Sequence, residues 1–141
     1  MRDDRRRRVL IIDDHARYRD WLGHHITAEW PDAHVEGRDP CEGELLPDDR
    51  PVAFWDLVIL DYAWEGQSGI EALESFKAQP GFPPVILLTA QGDESMAEAA
   101  IRAGADDFMP KSRLEHEEVV RTVREAMRRG RPAAGPTAPA P

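Results

Sequence analysis

The sequence predicts an α/β domain built on one doubly wound sheet of five parallel strands, with helices on both faces. Three observations carry this. The apolar runs 9–12, 57–60 and 85–88 are short and rich in β-branched residues, as strands buried on both faces are. Stretches of helical period separate them. Each run ends in an oxygen-bearing side chain, at Asp13, Asp61 and Thr89, and the carboxyl ends of strands are where open α/β sheets hold ligands.

The elements follow in order. Val9 to Ile12 is the first strand, running into Asp13 and Asp14. A helix over 15–29 carries Tyr18, Leu22 and Ile26 on one stripe with Trp21 beside it, and Pro31 ends it. Residues 33–36 alternate as an edge strand would. Asp39-Pro40 reads as a cap followed by proline at the first helical position. It opens a short second helix, weakened by Gly43 and stopped by Pro47, with Leu45 and Leu46 against the sheet. Residues 47–55 form a long connection to the third strand, which ends in Asp61.

Beyond a loop from Tyr62 to Gln67, Ser68 and Glu71 form a capping box for a third helix with Ile70, Leu73 and Phe76 inward, closed by Gln79-Pro80-Gly81. Val85 to Leu88 is the fourth strand. Asp93 caps an alanine-rich fourth helix, with Met96, Ala97, Ala100 and Ile101 inward and Gly104 at the C′ position. Residues 106–109 make the fifth strand, followed by Lys111. Ser112 and Glu115 box a fifth helix, with Val119, Val123 and Met127 inward and Gly130 as its stop. Its acidic first turn and arginine-rich end complement the helix dipole. Five alternations with right-handed crossovers give the order 2-1-3-4-5, a flavodoxin-like topology with its switch point between strands 1 and 3.

Composition limits the function. The chain has 141 residues with 41% hydrophobic and 32% charged content, which suits one soluble domain with one core. No apolar run reaches the roughly 20 residues of a membrane span. A net charge of −9 argues against general nucleic-acid affinity. The single cysteine, Cys41, forms no internal disulfide, so the expected location is cytoplasmic. Residues 1–7 read as a basic N-terminal arm, 8–130 as the domain, and 131–141 as a Pro/Ala-rich linker or tail.

The predicted order brings Asp13, Asp14 and Asp61 together. Three close carboxylates repel, and one of them tends to take a proton. A hard divalent cation removes the conflict, and oxygen ligands with room for waters suit Mg²⁺. Three carboxylates, one divalent cation and Lys111 sum to zero formal charge. An incoming phosphoryl group would present oxygens to the metal, to Lys111 and to Thr89, and a carboxylate is an accepted nucleophile for phosphorus.

The segments VLIIDDH, DLVILDY, SGIEAL, VILLTA and GADDFMPKS occur in this sequence in that order. Together they resemble the response-regulator receiver domains of two-component signalling, over residues 8–130. The resemblance implies Asp61 as phosphoacceptor, receiving a phosphoryl group from a sensor histidine kinase or histidine phosphotransfer protein. It implies Mg²⁺ held by Asp14, Asp13, Asp61 and the backbone carbonyl of Ala63. It gives Thr89 and Lys111 phosphoryl-binding roles and Phe108 the switch aromatic position. Trp64, Glu65 and Gln91 flank the site and would modulate access. Phosphorylation would remodel the face of helix 4, strand 5 and helix 5, through which a target, an output domain or a second copy could bind. The implied protein is an acceptor rather than an enzyme, able to catalyse its own phosphorylation and dephosphorylation.

The sequence departs from the family in places. Receivers commonly have Lys-Pro with a cis bond, whereas Ser112 follows Lys111 here and the proline is Pro110. A cis non-proline bond costs ~3 kcal/mol, so a trans bond and a shifted loop are expected. Glu65 stands where proline is common, and Phe108 lacks a tyrosine hydroxyl. Two other functions compete. An aspartate-nucleophile phosphohydrolase of the haloacid-dehalogenase type would need an aspartate where Ala63 stands. A phosphate-independent scaffold would have no use for the acids, Thr89 and Lys111. Direct nucleic-acid binding is not expected of this domain.

Overall fold

The apolar runs form the centre of the sheet, and their alternation divides the core into two layers. The computed structural model describes residues 7–65, 67–89, 94–112 and 114–129. Its elements are β1 (Arg8–Ile12), α1 (Ala16–Glu29), β2 (His34–Arg38), a 3-10 turn (Val52–Phe54), β3 (Leu57–Asp61), β4 (Ala63–Trp64), β5 (Gln67–Ser68), α2 (Gly69–Lys77), β6 (Val85–Thr89), α3 (Glu94–Arg102), β7 (Asp107–Pro110) and α4 (His116–Arg129). The main sheet is parallel in the order β2-β1-β3-β6-β7. That is the predicted order once the β4–β5 ribbon, a small antiparallel pair, is set aside.

Side chains of successive strand residues point to opposite faces. Val9, Ile11, Leu57, Ile59, Ile86, Leu88 and Met109 therefore face one way, onto Leu22 and Ile26 of α1 and Val119, Val123 and Ala126 of α4. Leu10, Ile12, Val58, Leu60, Val85 and Leu87 face the other way, onto Leu73 and Phe76 of α2, Ala100 of α3, and Trp55, Trp64 and Phe82 from loops and the ribbon. These thirteen strand side chains are fully excluded from solvent.

Two capping positions match the sequence, Ser68 and Gly104, although the Ser68 hydroxyl caps Ile70 rather than Glu71, the residue a capping box would use. Ser68 Oγ accepts from Ile70 N–H at 3.1 Å at the start of α2. Gly104, at φ +113°, ends α3 as predicted. Its N–H donates to the Ile101 carbonyl and that of Ala105 to the Ala100 carbonyl, the paired bonds of a Schellman motif.

Three expectations are corrected. No second helix forms at 40–46. Asp39 Oδ1 accepts from Cys41 N–H at 2.9 Å and Gly43 takes φ +104°. These turns, with a proline at each end, outcompete a helix of so few residues. Leu45 and Leu46 still pack on the second layer. Ile101 is 50% exposed rather than inward, because α3 settles on Ala100 with Met96, Ala97 and Ala103 half-buried. Finally, α4 begins at His116, so Ser112 and Glu115 do not box it. Leu114 is buried instead, and the Glu115 carbonyl accepts from Val119 N–H at 3.0 Å. Asp93, Gln91, Gly130, residues 1–6 and the tail from 131 lie outside the described residues.

Candidate functional site

Strand register assembles the site. Ile12 pairs with Leu60, so Asp13 follows Ile12 beside Asp61. Asp61 pairs with Leu88, and Thr89 pairs with Pro110, which places Lys111 one residue further along. The chain continues the sheet pattern past these ends. Asp13 N–H donates to the Arg38 carbonyl at 3.1 Å, Tyr62 N–H to Leu88 at 2.8 Å and Lys111 N–H to Thr89 at 2.7 Å. All five strands therefore deliver their last residues to one carboxyl rim, where doubly wound sheets bind ligands.

Carboxylates crowd that rim. Asp13 is fully buried and Asp61 is 4% exposed. One ligand atom from each of Asp13, Asp14, His15 and Asp61 lies within 4.8 Å of all the others. Lys111 Nζ lies 2.8 Å from Asp13 Oδ2 and 3.5 Å from Asp61 Oδ1. Asp13 Oδ1 accepts from His15 N–H at 2.7 Å, which turns the chain into α1. Burial pushes the Asp61 carboxyl up to about 6, helped by the neighbouring charges of Asp13 and Asp14. Lys111 and a hydrogen bond from the Ala63 backbone N–H oppose that rise. Thr89 is buried, and its Oγ1 donates a long 3.4 Å bond to the Met109 carbonyl.

The donor set fits a hard cation. Asp13 Oδ2 and Asp14 Oδ1 are buried and take no hydrogen bond of good geometry, although Lys111 Nζ and His15 Nδ1 stand 2.8 and 3.1 Å away. Buried acceptors left in this way are costly, and carboxylate oxygens are the ligands a small divalent cation prefers.

The other expected residues fall nearby. Ala63 and Glu65 are exposed in the β4–β5 ribbon, while Trp64 is turned into the second apolar layer. Phe108 is half-buried at the edge of that layer, beside Ala97 and Ile101. Among the described residues no peptide bond is cis, so Lys111–Ser112 is trans, as Ser112 predicted.

A family model described as the response regulator receiver domain matches residues 9–124. The chain belongs to that family. The receiver is 30% identical over 134 residues to response regulator MprA of Mycobacterium sp. (strain KMS), covering 94% of this chain and 56% of the relative. It is 32% identical over 127 residues to the DNA-binding response regulator MtrA of Mycobacterium tuberculosis (strain ATCC 25618 / H37Rv), covering 90% and 53%. The chain thus spans about half the length of these relatives. Its fold superposes with a TM-score of 0.72 on a solved signal receiver domain from Colwellia psychrerythraea 34H, at 20% identity, covering 86% of this chain and 98% of that one.

Sequence reasoning missed two residues of this rim. His15 shows no metal-ligand spacing in the sequence, yet it stands against both acids of the aspartate pair. Tyr18 was placed in the helical stripe, and it does pack on the first apolar layer. Its place in the first turn of α1, just after the acids, was the signal that it also reaches the rim. Lys111 Nζ lies 4.8 Å from the centre of its ring.

Proposed function

We propose that this receiver accepts a phosphoryl group on Asp61 from a phosphohistidine donor in a Mg²⁺-dependent reaction. The observation that supports this reading best is the meeting of Asp13, Asp14, Asp61 and Lys111 at one rim. An Asp61 oxygen attacks phosphorus, the P–N bond of the donor breaks, and the leaving imidazole takes up a proton. Asp13, Asp14, Asp61 and the Ala63 carbonyl would hold Mg²⁺, which when bound neutralises charge on the phosphoryl oxygens. Lys111 pairs with the transferred group, and Thr89 exchanges its long bond to Met109 for one to a phosphoryl oxygen.

Phe108, which pairs with Leu87 two residues before that threonine, would carry the change to the α3–β7–α4 face. Exposed Ile101 on that face suits a target, an output domain or a second copy. Glu65 would modulate access directly and Trp64 through the ribbon it anchors, with Gln91 as the third such position. The reading extends to a sensor histidine kinase or phosphotransfer protein as donor, a cytoplasmic location, and a receiver over 8–130 between a basic arm and a Pro/Ala-rich linker or tail. Among the described residues no helix is long and apolar enough to cross a membrane. Incubation with Mg²⁺ and phosphoramidate, read by intact mass, should add one phosphoryl group. Chelation of the metal should abolish it, and labelling that persists without a divalent cation would count against the reading.

A further inference from the structure

Lys111 is followed by Ser112 where receivers commonly have proline, and its side chain lies among three neighbours at the rim. Its ammonium is bracketed by Asp13 and Asp61 on one side and by the Tyr18 ring at 4.8 Å. Trp21 backs that ring, with centroids 5.4 Å apart. The Tyr18 hydroxyl is buried and has no hydrogen-bond partner, so the ring is not held by its oxygen. Burial first, and then the charges of Asp13 and Asp61, push the phenol above its usual range, so the ring stays neutral. A neutral ring face attracts an ammonium, more strongly where both are shielded from water.

We propose that Tyr18 is a positioning residue for phosphoryl transfer, whose ring face holds the Lys111 ammonium against Asp61. This rests on the phosphoacceptor reading above. Where the ring is absent, Lys111 keeps its charge but samples more rotamers, and fewer molecules present the ammonium to the incoming group.

The experiment measures the rate of labelling by phosphoramidate with Mg²⁺, using intact mass, on the full chain. The proteins are wild type, Tyr18→Phe, Tyr18→Met, Lys111→Ala, the Tyr18→Met/Lys111→Ala double variant and Asp61→Asn. Tyr18→Met should slow labelling roughly three- to tenfold. Tyr18→Phe should stay within about twofold of wild type, because it keeps the ring. In the Lys111→Ala background, Tyr18→Met should add no further loss, since its effect runs through the lysine. A thermal melt checks that each variant is folded, and Tyr18→Leu replaces the methionine variant if that one is not. Wild-type rates in Tyr18→Met would overturn the proposal. So would equal losses in the Phe and Met variants, or additive losses in the double variant. Wild-type labelling of Asp61→Asn would instead overturn the underlying reading.

Discussion

Gly69 lies against the backbone carbonyl of Asp61 so closely that a β-carbon on it would overlap that oxygen, with the Tyr62 carbonyl only 2.7 Å away. The Gly69 N–H donates to the same Tyr62 carbonyl, so the β4–β5 ribbon folds back and α2 starts directly behind the acid. Gly69→Ala must push this loop off the strand end. Overpacking of this kind typically costs about 1–3 kcal/mol. A lower urea midpoint and slower labelling of Asp61 are expected together, and an unchanged midpoint would contradict the close approach.

The raised Asp61 carboxyl makes the metal-free protein sensitive to pH. Its native value of about 6 lies above the 3.8 of a free side chain, so between them the native state holds more protons than the unfolded chain. Stability from this group is present in acid and is lost as pH rises through about 6, on the order of 3 kcal/mol in all. Asp61→Asn removes the loss. Measured by denaturation in chelator, its stability advantage over wild type should grow between about pH 4 and about pH 7.5. Parallel pH curves would contradict the burial and crowding of the acid.

The buried Asp14 oxygen, which takes no hydrogen bond of good geometry and has only the His15 ring nitrogen 3.1 Å away, predicts that a divalent cation stabilises the fold. A ligand at a hundred times its Kd adds roughly 2.7 kcal/mol. Mg²⁺ should raise the melting temperature of wild type and raise that of Asp14→Ala far less. Equal rises would place the cation elsewhere.

A second titrating contact has the opposite sign. His25 Nδ1 and His116 Nδ1 lie 2.6 Å apart between α1 and α4, and Trp21 meets the His25 ring edge-on at 4.4 Å. Burial first, and then His116 and His24, lower the His25 pKa. The unfolded imidazole therefore takes its proton first as pH falls, and native stability is lost below the free value of 6.5. Because Asp61 contributes equally to both proteins, the readout is wild type against His25→Gln. Acidification from about pH 7.5 to about pH 5.5 should cost the wild type more. Identical losses would rule out the coupling.

The fold was legible because its three central strands, β1, β3 and β6, are apolar on both faces and few topologies remain once crossovers are right-handed. The acids, Thr89 and Lys111 were legible for the same reason, since each ends or follows a strand. The 40–46 segment was misread because a cap signal at Asp39-Pro40 also starts a turn, and side-chain bonds decided between them. Ile101 was misread because a thin alanine stripe leaves the rotation of α3 nearly free in sequence terms. His15 and Tyr18 were missed because helical period reports which way a residue faces, whereas their place at the rim depends on height along the helix.

The central claim is that Asp61 carries the phosphoryl group, and site-resolved mass measurement tests it most directly. After reaction with phosphoramidate and Mg²⁺, wild type should gain one phosphoryl group that maps to the fragment containing Asp61. Asp61→Asn should gain none. Equal labelling of both proteins, or a label on another fragment, would contradict the account.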